Sequence, residues 1–516
     1  MPDFIDRRRF LALGALTLAT ASLAACTPRS STSSFIPPTG APVAETEAGR
    51  RLSGNTVRHA LTAAPTTLDL GGTTVDTWAY RGASATEPIR AAVGDMLQVS
   101  IENALPEPTS IHWHGIALRN DMDGVPHLTQ DPIAPGGSFT YEFALSHPGT
   151  YWFHPHSGTQ LDRGLYAPLI IDDPAEPGDY DQEWILVLDD WLDGVTATPD
   201  EVLAELAQGM DMGGMDHGDM DGMDHGDMGD GGADPMRMGN MLMGATSDLL
   251  GGDAGDVYYP LYLINGRSPQ DPATFTAKPG QRIRLRILNA GGDTAFRFGI
   301  PGNPLTITHT DGFPVDPVEA ESVVLGMGER YDAVITVADG AFPMIAEAIG
   351  KQQQAMAILR TGSGAKPPAD AKLPQSRRPA MASDLRAASA VGLKKRSAVR
   401  TLRFELTGGM AKYDWGINGR RMDMEQPLRD AVAIAEGERV AVEFVNSTTM
   451  WHPMHLHGHT YQHADGGPRK DTSIVLPGQT LRVEFDADNP GQWLTHCHNL
   501  YHGESGMMAT VAYEQR

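Results

Sequence analysis

One interval recurs three times along this chain. Gly94, Gly280 and Gly437 each stand nine residues before an asparagine, Asn103, Asn289 and Asn446. The residues between read as short strands: Met96-Leu97-Gln98-Val99-Ser100-Ile101 alternates apolar and polar positions and is bounded by turn-forming residues. A unit that returns at long separations marks repeated domains rather than one continuous sheet. The 516 residues suffice for two to four domains with cores of their own, and three copies select three related β-domains.

The copies carry different chemistry at matched positions. Nine residues after Asn103 stands His112-Trp113-His114, and nine after Asn446 stands His455-Leu456-His457. Nine after Asn289 stands Phe298-Gly299-Ile300, with no ligand. A second interval repeats the contrast. Gly136 is eighteen residues before His154-Pro155-His156, Gly478 eighteen before His496-Cys497-His498, and Gly328 eighteen before Ala346-Glu347-Ala348. The first and third domains therefore each hold two His-x-His strands. A single buried histidine is usually a hydrogen-bonded core residue. Four such pairs at duplicated spacing, left without a metal, would be crowded and poorly satisfied polar groups.

The last copy adds sulfur. His496-Cys497-His498, His502 and Met507 form an H-C-H-x3-H-x4-M pattern, and a thiolate, imidazoles and a weak thioether are the ligand set of a blue copper centre. Neighbouring side chains on a strand point to opposite faces. Cys497 can then serve one metal while His496 and His498 face a second site, and a single covalent path joins the two. Pro155 takes the equivalent place in the first domain, which excludes a blue copper site there.

With His452-Pro453-Met454-His455-Leu456-His457-Gly458, these segments resemble the four copper motifs of the three-domain multicopper oxidases, in particular the actinobacterial cell-surface copper-resistance oxidases and the bacterial copper efflux oxidases. The resemblance runs from about Thr56 to the end. It implies an all-β chain of three cupredoxin-like Greek-key domains, at 51–175, 176–365 and 401–516, with a linker at 366–400 and a middle domain acting as a spacer. It implies four coppers per chain. His452, Cys497 and His502 would hold the type 1 copper with Met507 axial, and His112 and His455 the type 2 copper. His114, His154 and His498 would hold one type 3 copper, and His156, His457 and His496 the other. Asp123 matches the family's acidic residue beside the type 2 copper and would relay protons. Glu504 stands one place beyond the acid that some copper efflux oxidases carry after the second type 1 histidine. Met450, two residues before His452, matches a methionine that binds substrate copper in those enzymes, with core packing as the plain alternative.

Residues 1–26 read as a targeting segment: Arg7-Arg8-Arg9-Phe10-Leu11 is a twin-arginine pattern, and the apolar run that follows is too short to span a bilayer comfortably. Leu23-Ala24-Ala25-Cys26 resembles a lipobox, so a lipid on Cys26 is the expected membrane contact, at the cell surface or in the periplasm. Residues 27–50 are expected to be a flexible tether. The only cysteines are Cys26 and Cys497, so no disulfide is expected. A formal charge of −25 argues against nucleic acid as a partner, and a monomer is expected.

Residues 208–244 break the domain pattern. Met215-Asp216-His217-Gly218-Asp219-Met220 is repeated as Met223-Asp224-His225-Gly226-Asp227-Met228, in a stretch too rich in Gly and Asp to form a core. Thioethers suit Cu(I) and carboxylates and imidazoles suit Cu(II), so Met215, His217, Met220, Met223, His225 and Met228 are candidate substrate-copper residues in a mobile surface segment. The leading reading is an oxidase coupling oxidation of Cu(I), and of phenols, to reduction of O2 to water. A laccase-like enzyme for phenols is the first alternative. A non-catalytic copper-binding lipoprotein is the second, and the full set of ten histidines with Cys497 and Met507 argues against it.

Overall fold

The computed structural model describes residues 35–176, 178–209 and 235–515. These residues form three pairs of β-sheets in chain order. The first pair has four strands in each sheet, and the second and third pairs have six strands facing five. Each repeated strand, Met96–Asn103, Arg282–Asn289 and Arg439–Asn446, lies inside the first sheet of its pair. Its apolar residues point inward: Leu97, Val99 and Ile101 are fully buried in one core with Trp113 and Phe153 of the second sheet. The chain is all-β, with helices confined to short segments such as Ala41–Ala48, Pro199–Leu206 and Leu500–Ser505.

The repeated asparagine does the same work in all three domains. Asn103 donates to the carbonyls of Glu107 and Ile133 at 2.8 and 2.7 Å. Asn289 donates to Thr294 and Leu325 at 2.9 and 3.1 Å, and Asn446 to Met450 and Val475 at 2.7 and 3.0 Å. Each is a buried amide that ties a carbonyl of the loop just after it to a carbonyl much further along the chain. It thereby fixes the loop that delivers the next strand, the one that carries the histidines.

Those next strands pair with their histidines facing across the sheet. His112 is opposite His154, His455 is opposite His496, and Met454 is opposite Cys497. In the middle domain Phe298 is opposite Ala346, so the same cross-strand position there holds packing residues.

The expected tether ends earlier than residue 50. Ile36 donates its N–H to the Tyr513 carbonyl at 2.8 Å, Ala41–Ala48 is a helix, and Ile36 and Val43 are buried. Arg50 then reaches Ser146 of the first domain at 2.8 Å and Asn489 of the third at 3.1 Å. The Ser/Thr/Pro/Ala-rich composition hid two apolar anchors, and residues 35–50 form a strap across two domains. The 366–400 connection is irregular but packed: Leu373, Ala380 and Leu385 are buried, and Arg297 holds Pro374 and Gln375 at 2.6 and 2.7 Å.

Candidate metal centres

Strand Gln492–Cys497 separates two sites by its pleat. On one side Cys497 Sγ lies 3.6 Å from His452 Nδ1 and 3.8 Å from His502 Nδ1, and the two ring nitrogens are 3.2 Å apart. His502 is brought back by the helix Leu500–Ser505, whose N-cap Asn499 accepts the His502 N–H at 3.2 Å. Gly506 ends that helix in the left-handed region at φ 117°, which turns the chain so that Met507 accepts the Cys497 N–H at 3.0 Å. All four side chains are buried, Met507 completely.

On the other side the histidines of the first and third domains meet. His114, His154 and His498 form one group and His156, His457 and His496 another, and His112 and His455 meet beside His114. The ligand atoms within each group lie within 4.8 Å of one another. Ring nitrogens face each other at 3.4 Å for His112 with His455, 3.4 Å for His156 with His496 and 3.1 Å for His457 with His496.

The far nitrogen of most rings is already used. Nδ1 of His112, His154, His455 and His496 each lies 2.9 Å from a backbone carbonyl, of Asp123, Pro155, Asp471 and Cys497. A carbonyl only accepts, so each of these Nδ1 atoms carries the proton and each Nε2 presents a lone pair inward. His457 Nδ1 meets Asp123 Oδ2 at 2.9 Å. His114 is turned the other way: Nε2 engages Asp471 and Thr472 at 3.0 and 2.9 Å, which leaves Nδ1 facing inward. His114 Nδ1, His154 Nε2 and both nitrogens of His498 are buried without a hydrogen-bond partner among the described residues. Burial and the neighbouring rings hold His114, His154, His156, His457, His496 and His498 well below the ordinary imidazole pKa. Neutral rings with converging, unpartnered lone pairs are poor packing and a good fit to transition-metal ions.

Three family models, each for multicopper oxidases, match residues 62–176, 243–364 and 396–516. The chain is 46% identical to the multicopper oxidase MmcO of Mycobacterium tuberculosis, over 98% of this chain and 97% of that protein. The chain belongs to the multicopper oxidases. This oxidase is also 30% identical to a copper resistance protein A homolog of Pseudomonas syringae pv. tomato, over 88% of this chain and 92% of that one. Among solved structures it resembles a multi-copper oxidase from Pseudomonas thermotolerans, at 27% identity and TM-score 0.67, covering 89% of this chain and all of that one. It also resembles a laccase from Botrytis aclada, at 25% identity and TM-score 0.71, covering 90% and 88%.

The oxidase's middle domain is more than the spacer its lack of ligands suggested. Asp256 places Oδ2 3.1 Å from Nε2 of His502. Arg330 clamps Asp471 through two contacts of 2.7 Å, and that carboxylate holds His114. Burial opposes the Asp471 charge, but Arg330 and His114 outweigh it and keep its pKa well below the carboxylate range. Gly328 fits against the cage itself: a Cβ there would lie 3.0 Å from His114 Cε1 and from His498 Cδ2, at φ 84°. Sequence reading missed Asp256, Arg330 and Asp471 because none stands at a fixed offset from a histidine motif. Thr448 was also missed, though it is only four residues before His452, whose Nε2 it meets at 2.8 Å.

The remaining candidates divide. Asp123 is fully buried between His112 and His457. Glu504 is half-buried beside His156 in a cavity of about 370 Å³, and burial, with Asp200 adding, pushes it up to about 7. Met450 is 1% exposed and sits in the main core, where packing accounts for it. Met215, His217, Met220, Met223, His225 and Met228 lie outside the described residues. The end of that segment is a hairpin, Met236–Met238 paired with Met241–Met243. Its Leu242 N–H donates to the Asp256 carbonyl at 2.8 Å, so this hairpin is tied to the residue whose carboxylate meets His502. Of the histidines without ligand spacing, His59, His127, His147, His309 and His463 belong to neither centre, and His459 contacts the His457 carbonyl at 3.1 Å.

Proposed function

We propose that this oxidase oxidises Cu(I) as its main substrate, using one copper at His452, Cys497 and His502 with Met507 axial, and three among the eight remaining histidines. The observation that carries the reading is the cover over the mononuclear site. His452 and His502 are completely buried, and Trp415 lies over His502 with ring centroids 4.3 Å apart. A phenol finds no exposed imidazole edge there. A small cation needs none: Asp256 links His502 to the hairpin that closes the methionine-rich segment, and soft thioethers and carboxylates suit copper. The relatives named for copper resistance support the same reading.

Bound copper would supply one-electron acceptance at the mononuclear site and four-electron reduction of O2 at the cage. The chain's part is positional. Cys497 joins the two centres through its peptide bonds to His496 and His498. Arg330, Asp471 and Asp123 fix ring orientation, and preset ligands lose less on binding. Asp123 and Glu504 are placed to deliver protons, Glu504 from the cavity beside His156. Residues 1–26 are read as a twin-arginine lipoprotein signal that puts the enzyme at the cell surface or in the periplasm, held by a lipid on Cys26, as a monomer.

The test is steady-state turnover with Cu(I) and with a phenol, for the full chain and for one with residues 210–234 excised and the hairpin kept. A raised KM for Cu(I), with phenol oxidation equal or faster, is expected. Cu(I) turnover intact with phenol oxidation lost would favour the laccase-like alternative, which the resemblance to fungal laccases such as laccase-2 of Botryotinia fuckeliana, at 27% identity, also suggests.

A further inference from the structure

We propose that the cavity in front of His156 is a separate Cu(I) site, built from the thioethers of Met422, Met424 and Met508, through which the histidine cage is loaded. The proposal rests on the copper reading above. The cavity, of about 370 Å³, is lined by these three methionines with His127, Glu504 and His156. It shares His156, Gly158, Gly503, Glu504 and Met508 with a smaller cavity of about 30 Å³ that His154, His496 and His498 also line. A path from the surface past three sulfurs therefore ends at four cage imidazoles.

The sulfurs are placed for this. Met422 and Met424 alternate about Asp423, whose carboxylate turns aside to Arg429 at 3.0 Å. Both are half-buried and pack with Met508 against Val125, Leu128 and Leu494. Met508 reaches inward: a Cβ on Gly503 would lie 3.6 Å from Met508 Cε and 3.9 Å from His496 Nδ1. Gly503 therefore lies between the last thioether and His496, with the Cys497 carbonyl the nearest neighbour of such a Cβ at 3.1 Å. Methionine also fills gaps in cores, but gap-filling does not call for thioethers on the wall of an open cavity. The charges agree with a cation. Glu107, Asp200 and Glu504 line this cavity, Asp200 being held by Arg163 at 2.6 Å, and among the described residues no Lys or Arg lines it, whereas the cleft of about 310 Å³ on the other side of Met422 is lined by Arg420, Arg421 and Arg429 together with Asp423 and Asp430.

Thioethers hold Cu(I) softly and imidazoles hold it well. Transfer is a ligand exchange, from sulfur to ring nitrogen: copper remains Cu(I), no electron moves and no covalent bond of the protein changes.

The experiment is anaerobic reconstitution of the apo-protein with stoichiometric Cu(I), for wild type and for Met422→Leu/Met424→Leu, which keeps apolar volume. Timed samples are quenched with a Cu(I) chelator and oxidised. Blue absorption then reports the mononuclear site, and the type 2 EPR signal reports the cage. In the variant the cage is expected to fill about tenfold more slowly, a typical loss when a supporting metal contact is removed. The mononuclear site should fill at the wild-type rate, and both proteins should reach the same final copper content. Equal rates of cage filling would overturn the loading route. A wild-type cage that never fills would instead overturn the copper reading and this proposal with it. Independently of any variant, Ag(I), a redox-inert soft cation, soaked into crystals of the copper-loaded enzyme should give an anomalous peak among the three sulfurs. Silver found only elsewhere, or nowhere, would remove the site.

Discussion

Asp256 and His502 lie 246 residues apart in the chain and 3.1 Å apart in the structure, so a carboxylate of the middle domain holds an imidazole of the third. Burial, then Asp293, push the Asp256 pKa well up, and Lys351 opposes them. A cation on the far nitrogen of His502 would oppose them further. Asp256→Asn keeps a carbonyl oxygen to accept the His502 N–H but removes the charge that favours the oxidised, more positive centre. The expected result is full copper content and a type 1 potential raised by about 65–130 mV, the one-electron equivalent of ~1.5–3 kcal/mol for a charged hydrogen bond. A redox titration with an unchanged midpoint would sever the link between this carboxylate and the copper.

Cys497→Ser should remove the blue thiolate absorption and nearly all turnover while leaving the eight cage histidines in place. Cys497 is the only free cysteine among the described residues and is buried at the centre of the mononuclear site. Metal analysis should then show one copper fewer per chain than in the wild type. A blue, active serine variant would mean that the colour and the electron path arise elsewhere.

Much of both centres was legible because the sequence repeats itself. The duplicated Gly-to-His intervals marked two His-x-His strands in each of the first and third domains, and the structure sets those strands side by side, His112 opposite His154 and His455 opposite His496. What the sequence hid were contacts that need the third dimension. Arg330 reaches Asp471 across 141 residues, and nothing near either residue signals the other. The strap at 35–50 was hidden differently: its loop-like composition outweighed Ile36 and Val43, two apolar residues whose burial decides its conformation.

Asp471 also supplies a test of how the cage is held. It accepts from Arg330 and His114 with its side chain and from His455 with its carbonyl. Asp471→Asn leaves Arg330 buried against a neutral amide and removes the charge that fixes the His114 tautomer. A loss of about 10–100-fold in copper affinity is expected at the cage alone. Dialysis against a chelator should therefore weaken the type 2 EPR signal while the blue absorption persists. Parallel loss of both signals would show general unfolding, and retention of both would show that Asp471 does not orient the ligands.

His463 gives the enzyme a pH dependence unrelated to its metals. Its Nε2 meets Ser473 Oγ at 2.8 Å, and burial, with Lys470 adding, pushes its pKa down to about 3. Above the ordinary imidazole value near 6.5 the ring is neutral in both states and contributes no pH dependence. Below it, the unfolded chain binds a proton that the folded ring refuses, so stability falls with falling pH until the folded value near 3 is reached. The slope from this ring should be roughly 1 kcal/mol per pH unit, allowing for partial solvation. His463→Gln keeps a polar partner for Ser473 and cannot titrate. Denaturant unfolding at a series of pH values between 6.5 and 4 should give a shallower decline for the variant by about that slope. Parallel stability curves for the two proteins would mean that the folded protein accommodates a protonated His463.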